Sequence, residues 1–269
     1  MDASVILTTY NHPKLLALTL EGYAQQTDKQ FELVIADDGS TDETRAVIDA
    51  FRPRAPFPVI HARHEHNGYR RAAVLNLGIR HSTTGYCAFS DGDCVPARDF
   101  VELHRRHRQK GCFLLGGHLR LTEEYSKSMT PETVIAGDFV NQMTPKRSRK
   151  LWQRHFNSWF YNLLGVKDRP HIAGANFSAW RSDLDAVNGY DENFVGWGRE
   201  ESDLRTRFRR YGLRGKSMWP HILVYHLWHP IDPSKANVRR NIDYYRQSSR
   251  RVRCENGLCR GGPPCPPES

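Results

Sequence analysis

The chain has 269 residues, is 39% hydrophobic and 11% aromatic, and carries a formal net charge of +9. That length suffices for one large α/β domain with a substantial core. A mean hydropathy of −0.66, with no apolar run approaching the ~18 residues of a spanning helix, argues against a protein embedded in the membrane by helices.

Residues 4–9 (SVILTT) read as a short buried strand, ended by the turn Tyr10-Asn11-His12-Pro13. No basic or long apolar leader precedes it, so the expected compartment is the cytosol, with room for peripheral contact at the inner membrane face. A helix carries Leu15, Leu16, Leu18, Leu20 and Tyr23 and runs out near Gln26. Residues 31–36 (FELVIA) form a second strand, stopped by Asp37-Asp38-Gly39-Ser40, where Ser40 or Thr41 can cap a helix through Ile48. Val59 and Ile60 make a third strand, Asn67-Gly68 a turn, and residues 72–79 a helix. Residues 86–90 (YCAFS) are a fourth strand ending on Asp91-Gly92-Asp93, followed by a helix over 99–108 and a strand over 113–121.

Strand, turn and helix repeated with short loops predict an α/β fold in one domain, a mainly parallel central sheet flanked by helices. In such sheets ligands gather outside the carboxyl ends of the strands. Thr8-Thr9-Tyr10, Asp37-Asp38 and Asp91-Gly92-Asp93 all fall there.

Beyond residue 125, Trp152, Phe156, Trp159, Phe160 and Leu163 recur at helical spacing among Lys146, Arg147, Arg149, Lys150 and Arg154. The plainer expectation is a packed helix with a solvated basic face; the sharper one is contact with a membrane surface or a lipid-linked acceptor. The net positive charge concentrates here and again over 235–253, with seven Lys/Arg against one acid in each of 146–170 and 235–253. The end, CENGLCRGGPPCPPES, is rich in Gly and Pro and reads as disordered. Its three cysteines, like Cys87, Cys94 and Cys112, form no CxxC pair, and six free thiols are expected.

Three clusters can do chemistry. Asp91 and Asp93, two apart at a strand end, can face one pocket, and hard cations such as Mg²⁺ or Mn²⁺ take carboxylate oxygens together with substrate phosphates. Glu200 and Glu201 open a helix after Gly196-Trp197-Gly198-Arg199. Because adjacent side chains diverge, one can accept a hydroxyl proton while the other holds the acceptor. His226 and His229 close an apolar run, as core histidines or as nitrogen ligands for the metal.

Over residues 3–230 the motifs SVILTTYN, LVIADDGSTDET and FSDGDC, in that order, resemble family 2 glycosyltransferases of the GT-A fold. The resemblance implies that Thr8 and Tyr10 line a nucleotide pocket, that Asp38 binds uracil or ribose, and that Arg71 approaches the diphosphate. It makes Asp93 the principal metal ligand, with Asp91 near the ribose or metal. The later segment NGYDENFVGWGREESDL resembles the C-terminal motif of β-1,4-galactosyltransferases and chondroitin-polymerase-type transferases. Where their motif reads GWGxED, Glu201 replaces the catalytic aspartate, one methylene longer. By the same match His226 binds the metal, with His229 as the fallback, and Trp197 and Glu200 contact the acceptor or donor sugar.

The implied protein is an inverting, metal-dependent UDP-sugar transferase. It moves a hexose or N-acetylhexosamine to a glycan or lipid-linked acceptor in cell-surface polysaccharide or lipopolysaccharide synthesis. Residues 1–120 serve the nucleotide and 121–232 the acceptor, with a basic helix and tail over 233–269. A nucleotidyltransferase would need a Gly-rich phosphate loop where TTYNHPK stands. Nucleic-acid binding has no motif behind it, and a fold that only binds UDP-sugar fits poorly with a full set of acids and histidines.

Overall fold

The computed structural model describes residues 1–166, 171–230, 238–248 and 251–259. The chain opens with β1 (Ala3–Thr9), α1 (Pro13–Ala24), β2 (Phe31–Asp37), α2 (Asp42–Phe51), β3 (Val59–Arg63), α3 (Arg71–His81) and β4 (Tyr86–Asp91). It continues through β5 (Cys94–Pro96), α4 (Phe100–His107), β6 (Cys112–Leu115), β7 (Gly117–Arg120), α5 (Glu123–Ser128), α6 (Pro131–Ala136) and α7 (Pro145–Leu163). The described elements end with β8 (Phe177–Trp180), α8 (Arg181–Val187), α9 (Glu200–Tyr211), β9 (Arg214–Ser217), β10 (Leu223–His226) and α10 (Val238–Ser248).

The main sheet has the order β3-β2-β1-β4-β8-β6-β9, and only β8 runs against its neighbours. Every residue of β1 and β2 is buried, as expected of parallel strands covered on both faces. Side chains alternate across the sheet: Ile6, Val34 and Phe89 join α3 and α9 in one core, while Val5, Leu7 and Leu33 join Leu16, Leu20 and Tyr23 of α1 in another. The predicted α/β architecture is therefore present, with β1, β2 and β4 ending side by side.

The cap expected at α2 is built differently. Thr41 occupies the N-cap position without a side-chain cap. Its backbone N–H instead donates to Asn11 Oδ1 at 2.8 Å, and the Asn11 N–H donates to Ser40 Oγ at 3.1 Å. These two bonds tie the loop after β1 to the loop after β2.

The single strand expected over 113–121 is in fact two strands in two sheets. β6 belongs to the main sheet, and β7 belongs to a three-stranded sheet of order β5-β10-β7. The break is at Gly116, where a Cβ would lie 2.0 Å from Asn176 Oδ1. Asn176 fills that space and is fully buried. Its Nδ2 donates to Gly117 O at 2.8 Å and to Ile222 O at 3.0 Å, and its Oδ1 lies 3.0 Å from His104 Nε2. Burial pushes the His104 pKa down to about 4, so the neutral ring donates from Nε2 and accepts from Ser178 at Nδ1. Asn176→Ala would leave the buried His104 Nε2–H without its acceptor and take one donor each from Gly117 O and Ile222 O, the latter keeping the Gly117 N–H at 2.8 Å. We expect a loss of about 3 kcal/mol, read as a lower urea midpoint at unchanged slope.

The C-terminal segment also departs from expectation. Cys254 and Leu258 are buried, and Asn188 Nδ2 donates to the carbonyls of Cys254 and Cys259, both at 2.9 Å. Packing on this left-handed helix end, which local composition does not report, orders residues 251–259; the rest of the expected disordered tail lies outside the described residues. Cys87, Cys94, Cys112 and Cys254 are free thiols, whereas Cys259 is disulfide-bonded, so the reading of six free thiols does not hold. Among the described residues no helix is long and apolar enough to cross a membrane.

Candidate active site

The carboxyl ends of β1, β2 and β4 open into a cleft of about 670 Å³. All eleven residues singled out from the sequence line it: Thr8, Tyr10, Asp38, Arg71, Asp91, Asp93, Trp197, Glu200, Glu201, His226 and His229. Several local devices bring them together. The turn after β4 hugs β1, with the Gly92 N–H donating to Thr8 O at 2.7 Å. A Cβ on Gly92 would meet that oxygen at 2.9 Å, which is why the residue between the two aspartates is glycine.

On the first wall, Tyr10 stacks on His66 with ring centroids 4.5 Å apart. Asp38 Oδ1 lies 2.6 Å from His64 Nε2, and Asp38 Oδ2 accepts from the Arg70 N–H at 3.3 Å. The neighbouring Asp37 turns away, to His61 at 2.9 Å and the Ser40 N–H at 2.8 Å. Burial opposes its ionisation, but those hydrogen bonds outweigh it and hold the carboxyl below its usual range.

Asp93 meets the histidines across the small sheet. Antiparallel pairing of β5 and β10 sets His226 opposite Cys94, and the Leu227 N–H donates to Asp93 O at 2.8 Å. Asp93 Oδ2 then lies 3.7 Å from His226 Nε2 and 3.1 Å from His229 Nε2. One ligand atom from each of the three lies within 4.8 Å of the others. An anionic oxygen and two imidazole nitrogens suit a borderline divalent cation such as Mn²⁺ better than Mg²⁺. Both histidines stand beside Asp93, so His226 and its fallback His229 are each placed where a nitrogen ligand could serve. Burial disfavours the Asp93 anion, yet the hydrogen bond with His229 and the charges of both rings hold its pKa low.

Arg71, at the start of α3, lies between carboxylates. Its Nη2 donates to Asp91 Oδ1 at 2.7 Å, its Nε to Glu201 Oε1 at 3.0 Å, and its Nη1 to Thr8 Oγ1 at 3.0 Å. Thr8 in turn donates to Asp91 Oδ1 at 2.8 Å. Asp91 is thereby engaged by Arg71 and Thr8, while Asp93 faces the histidines.

The two glutamates differ. Gly196 and Gly198 have φ of +82° and +102°, a left-handed backbone that glycine adopts without strain, and they turn the chain sharply into α9. The turn is pinned by the Gly196 N–H donating to Tyr69 O at 2.9 Å and by Asn241 of α10 donating to Trp197 O at 3.3 Å. Trp197 is left 41% exposed over the cleft. Glu201 is held by Arg71, and a Cβ on Gly174 would come within 2.3 Å of Glu201 Oε1. Glu200 is buried and its Oε2 has no hydrogen-bond partner among the described residues. Burial, followed by the charge of Glu201, raises the Glu200 pKa to about 8.

The cleft also contains residues that carried no sequence signal: Tyr69, His118, Arg120 and the run 172–175. His118 is kept neutral, its pKa pushed down to about 4 by burial and by Arg120 and Arg154. The run 172–175 holds no charged residue, and only the tertiary fold places it in the cleft.

Residues 4–165 match the model of "Glycosyl transferase family 2", and residues 154–229 match "N-terminal domain of galactosyltransferase". Validoxylamine A glucosyltransferase of Streptomyces hygroscopicus is 29% identical over 232 residues, covering 78% of this chain and 52% of that protein. Chondroitin synthase of Escherichia coli is 25% identical over 248 residues, covering 87% of this chain and 35% of that protein. The chain thus spans about half, or less, of the length of these relatives. Among solved structures, the mannosyltransferase PcManGT of Pyrobaculum calidifontis, in complex with GDP-Man and Mn²⁺, superposes with a TM-score of 0.63 at 18% identity, over 94% of this chain and 65% of that one. S. aureus TarS 1-349 in complex with UDP-GlcNAc gives a TM-score of 0.62 at 17% identity, over 91% of this chain and 64% of that one. The family match covers more than half of the chain and the fold neighbours share its sheet: the protein is a glycosyltransferase of family 2 with the GT-A fold.

Proposed function

We propose that this glycosyltransferase transfers a hexose or N-acetylhexosamine from a UDP-sugar, with inversion, to a hydroxyl of a glycan or lipid-linked acceptor in cell-surface polysaccharide synthesis. The observation that carries the reading is the convergence of an Asp-His-His group and a Glu-Glu pair on one cleft. Residues 1–120 supply the nucleotide side and residues 121–232 most of the acceptor side. The relatives include a glucosyltransferase and a chondroitin synthase, which supports a sugar acceptor.

In this reading the stacked Tyr10–His66 pair and Asp38 receive the nucleoside, and Asp91 and Thr8 sit toward the ribose. Asp93, His226 and His229 would hold a divalent cation, which when bound would supply positive charge against the departing diphosphate. Glu201 takes the proton of the acceptor hydroxyl. The new C–O bond forms on one face of the anomeric carbon while the bond to the diphosphate breaks on the other, the electron pair leaving with UDP. A single displacement of this kind inverts the anomeric centre. Arg71 fixes the Glu201 carboxylate, and Trp197 and Glu200 form the wall for the acceptor or donor sugar.

The deciding experiment incubates the protein with UDP- and GDP-sugars in Mn²⁺ or EDTA and follows release of free nucleotide. We expect slow hydrolysis of one UDP-sugar, abolished by EDTA, and calorimetric binding of UDP only with Mn²⁺ present. A folded sample that binds no UDP in Mn²⁺ would overturn the donor assignment.

A further inference from the structure

The sequence of α7 (Pro145–Leu163) contains five Lys/Arg and no acid. Leu151 and Ser158 mark its buried side, and the Asn162 amide anchors the last turn by donating to Gly215 O at 2.6 Å. A packed amphipathic helix would have turned its aromatic residues to that side. It does not: Phe156, Trp159, Phe160, Leu163 and Leu164 are 52–66% exposed, in a continuous stripe at helical spacing. Scattered exposed apolar residues need no explanation, but five large ones on one helix face mark a contact surface.

Charge flanks the stripe at both ends. Lys146, Arg149 and Lys150 are exposed near its beginning. Past Leu164 the chain reaches Gly165, on the rim of a second cleft of about 850 Å³ lined also by Arg209, Arg210, Arg214 and Arg246. No Asp or Glu stands among the described residues that line this cleft. Arg209 joins the two features directly, donating to Asn162 Oδ1 at 2.8 Å.

We propose that α7 and the arginine cleft beside it form an interfacial docking surface for an anionic phospholipid bilayer. Trp, Phe and Leu on one face with Lys and Arg around them is the composition by which a helix lies in the headgroup layer, apolar face down, while its cations meet lipid phosphates. A second copy of this chain fits the surface poorly. A two-fold contact would set like patches together, cation against cation, in a protein of net charge +9. The surface lies alongside the active cleft: Arg154 of α7 sits over the Trp219 ring at 4.9 Å and its charge reaches His118, which lines that cleft. The inference is independent of which sugar nucleotide the enzyme uses.

The test is flotation of the full chain with phosphatidylcholine vesicles, with and without phosphatidylglycerol. We expect binding to the anionic vesicles alone, weakened by high salt, with a blue shift of tryptophan emission. The surface variant W159S/F160S should lose at least about tenfold in partitioning while keeping its melting temperature and its UDP binding. Failure to float with anionic vesicles, or equal flotation of wild type and variant, overturns the proposal. So does a dimer seen by sedimentation that the variant dissociates without changing flotation, because a second copy would then cover the stripe. Displacement by soluble polyanion with no vesicle binding would also overturn it, in favour of a glycan or nucleic acid.

Discussion

Asp93→Ala is expected to reduce transfer by roughly 10³-fold, the scale on which loss of a stabilising charge at a leaving group is felt. Among the described residues, Asp93 is the carboxylate that faces both His226 and His229, at 3.7 and 3.1 Å, whereas Asp91 Oδ1 is taken up by Arg71 and Thr8. Removing the Asp93 carboxylate takes away the group common to both candidate cation sets, Asp93-His226-His229 and Asp91-Asp93-Cys94, and leaves the imidazole pair without its facing carboxylate, a set that binds a divalent cation weakly. Mn²⁺ titration by calorimetry, run beside nucleotide release, checks both halves of the claim. Asp93→Asn preserves volume and should fail similarly, which separates charge from packing. Single His226→Ala and His229→Ala variants should each weaken Mn²⁺ binding; a variant of Asp93 that binds Mn²⁺ and turns over like the parent would remove it from the metal site.

Glu201→Gln is the second large effect, a loss of ~10²–10⁴ in kcat if this carboxylate is the general base. The amide keeps the size of the side chain and can still pack over Gly174, so UDP binding and melting temperature should hold. Glu200→Gln should act differently, mainly on the acceptor KM, since its carboxyl is buried and has a pKa raised to about 8. The pH profile discriminates between them. A base must be deprotonated to act, so if Glu200 filled that role the rate would climb as pH rises through about 8. A profile already flat below that, together with an inactive Glu201→Gln, places the proton on Glu201. The opposite pattern would exchange the two roles.

The part of the site that was legible from sequence consists of residues whose position follows from local chain direction. Thr8, Tyr10, Asp38, Asp91 and Asp93 sit at or just past strand ends, and in a parallel sheet strand ends share an edge. Glu200 and Glu201 were found because glycine flanks a tryptophan just before a helix start. What escaped the sequence depends on contacts distant in the chain. The break at Gly116 is set by Asn176, sixty residues later. The bonds from Arg71 to Asp91 and Glu201 span 20 and 130 residues, and nothing near Arg71 announces them. The 172–175 wall of the cleft has no pattern of its own. The aromatic period of α7 was visible, but period alone cannot say whether the apolar side of a helix meets the protein or the solvent.

The pairing of β5 with β10 also bears on how this enzyme is born. Asp93 precedes residue 165, where the family 2 match stops, whereas Glu201, His226 and His229 all follow it. A chain released only as far as that residue would carry one of the three proposed cation ligands, Asp93, and neither the proposed base nor the two histidines. On the proposed roles such a chain would hydrolyse no sugar nucleotide until β10 pairs with β5. On that reading the cleft is complete only once the last of the described strands has joined its sheet.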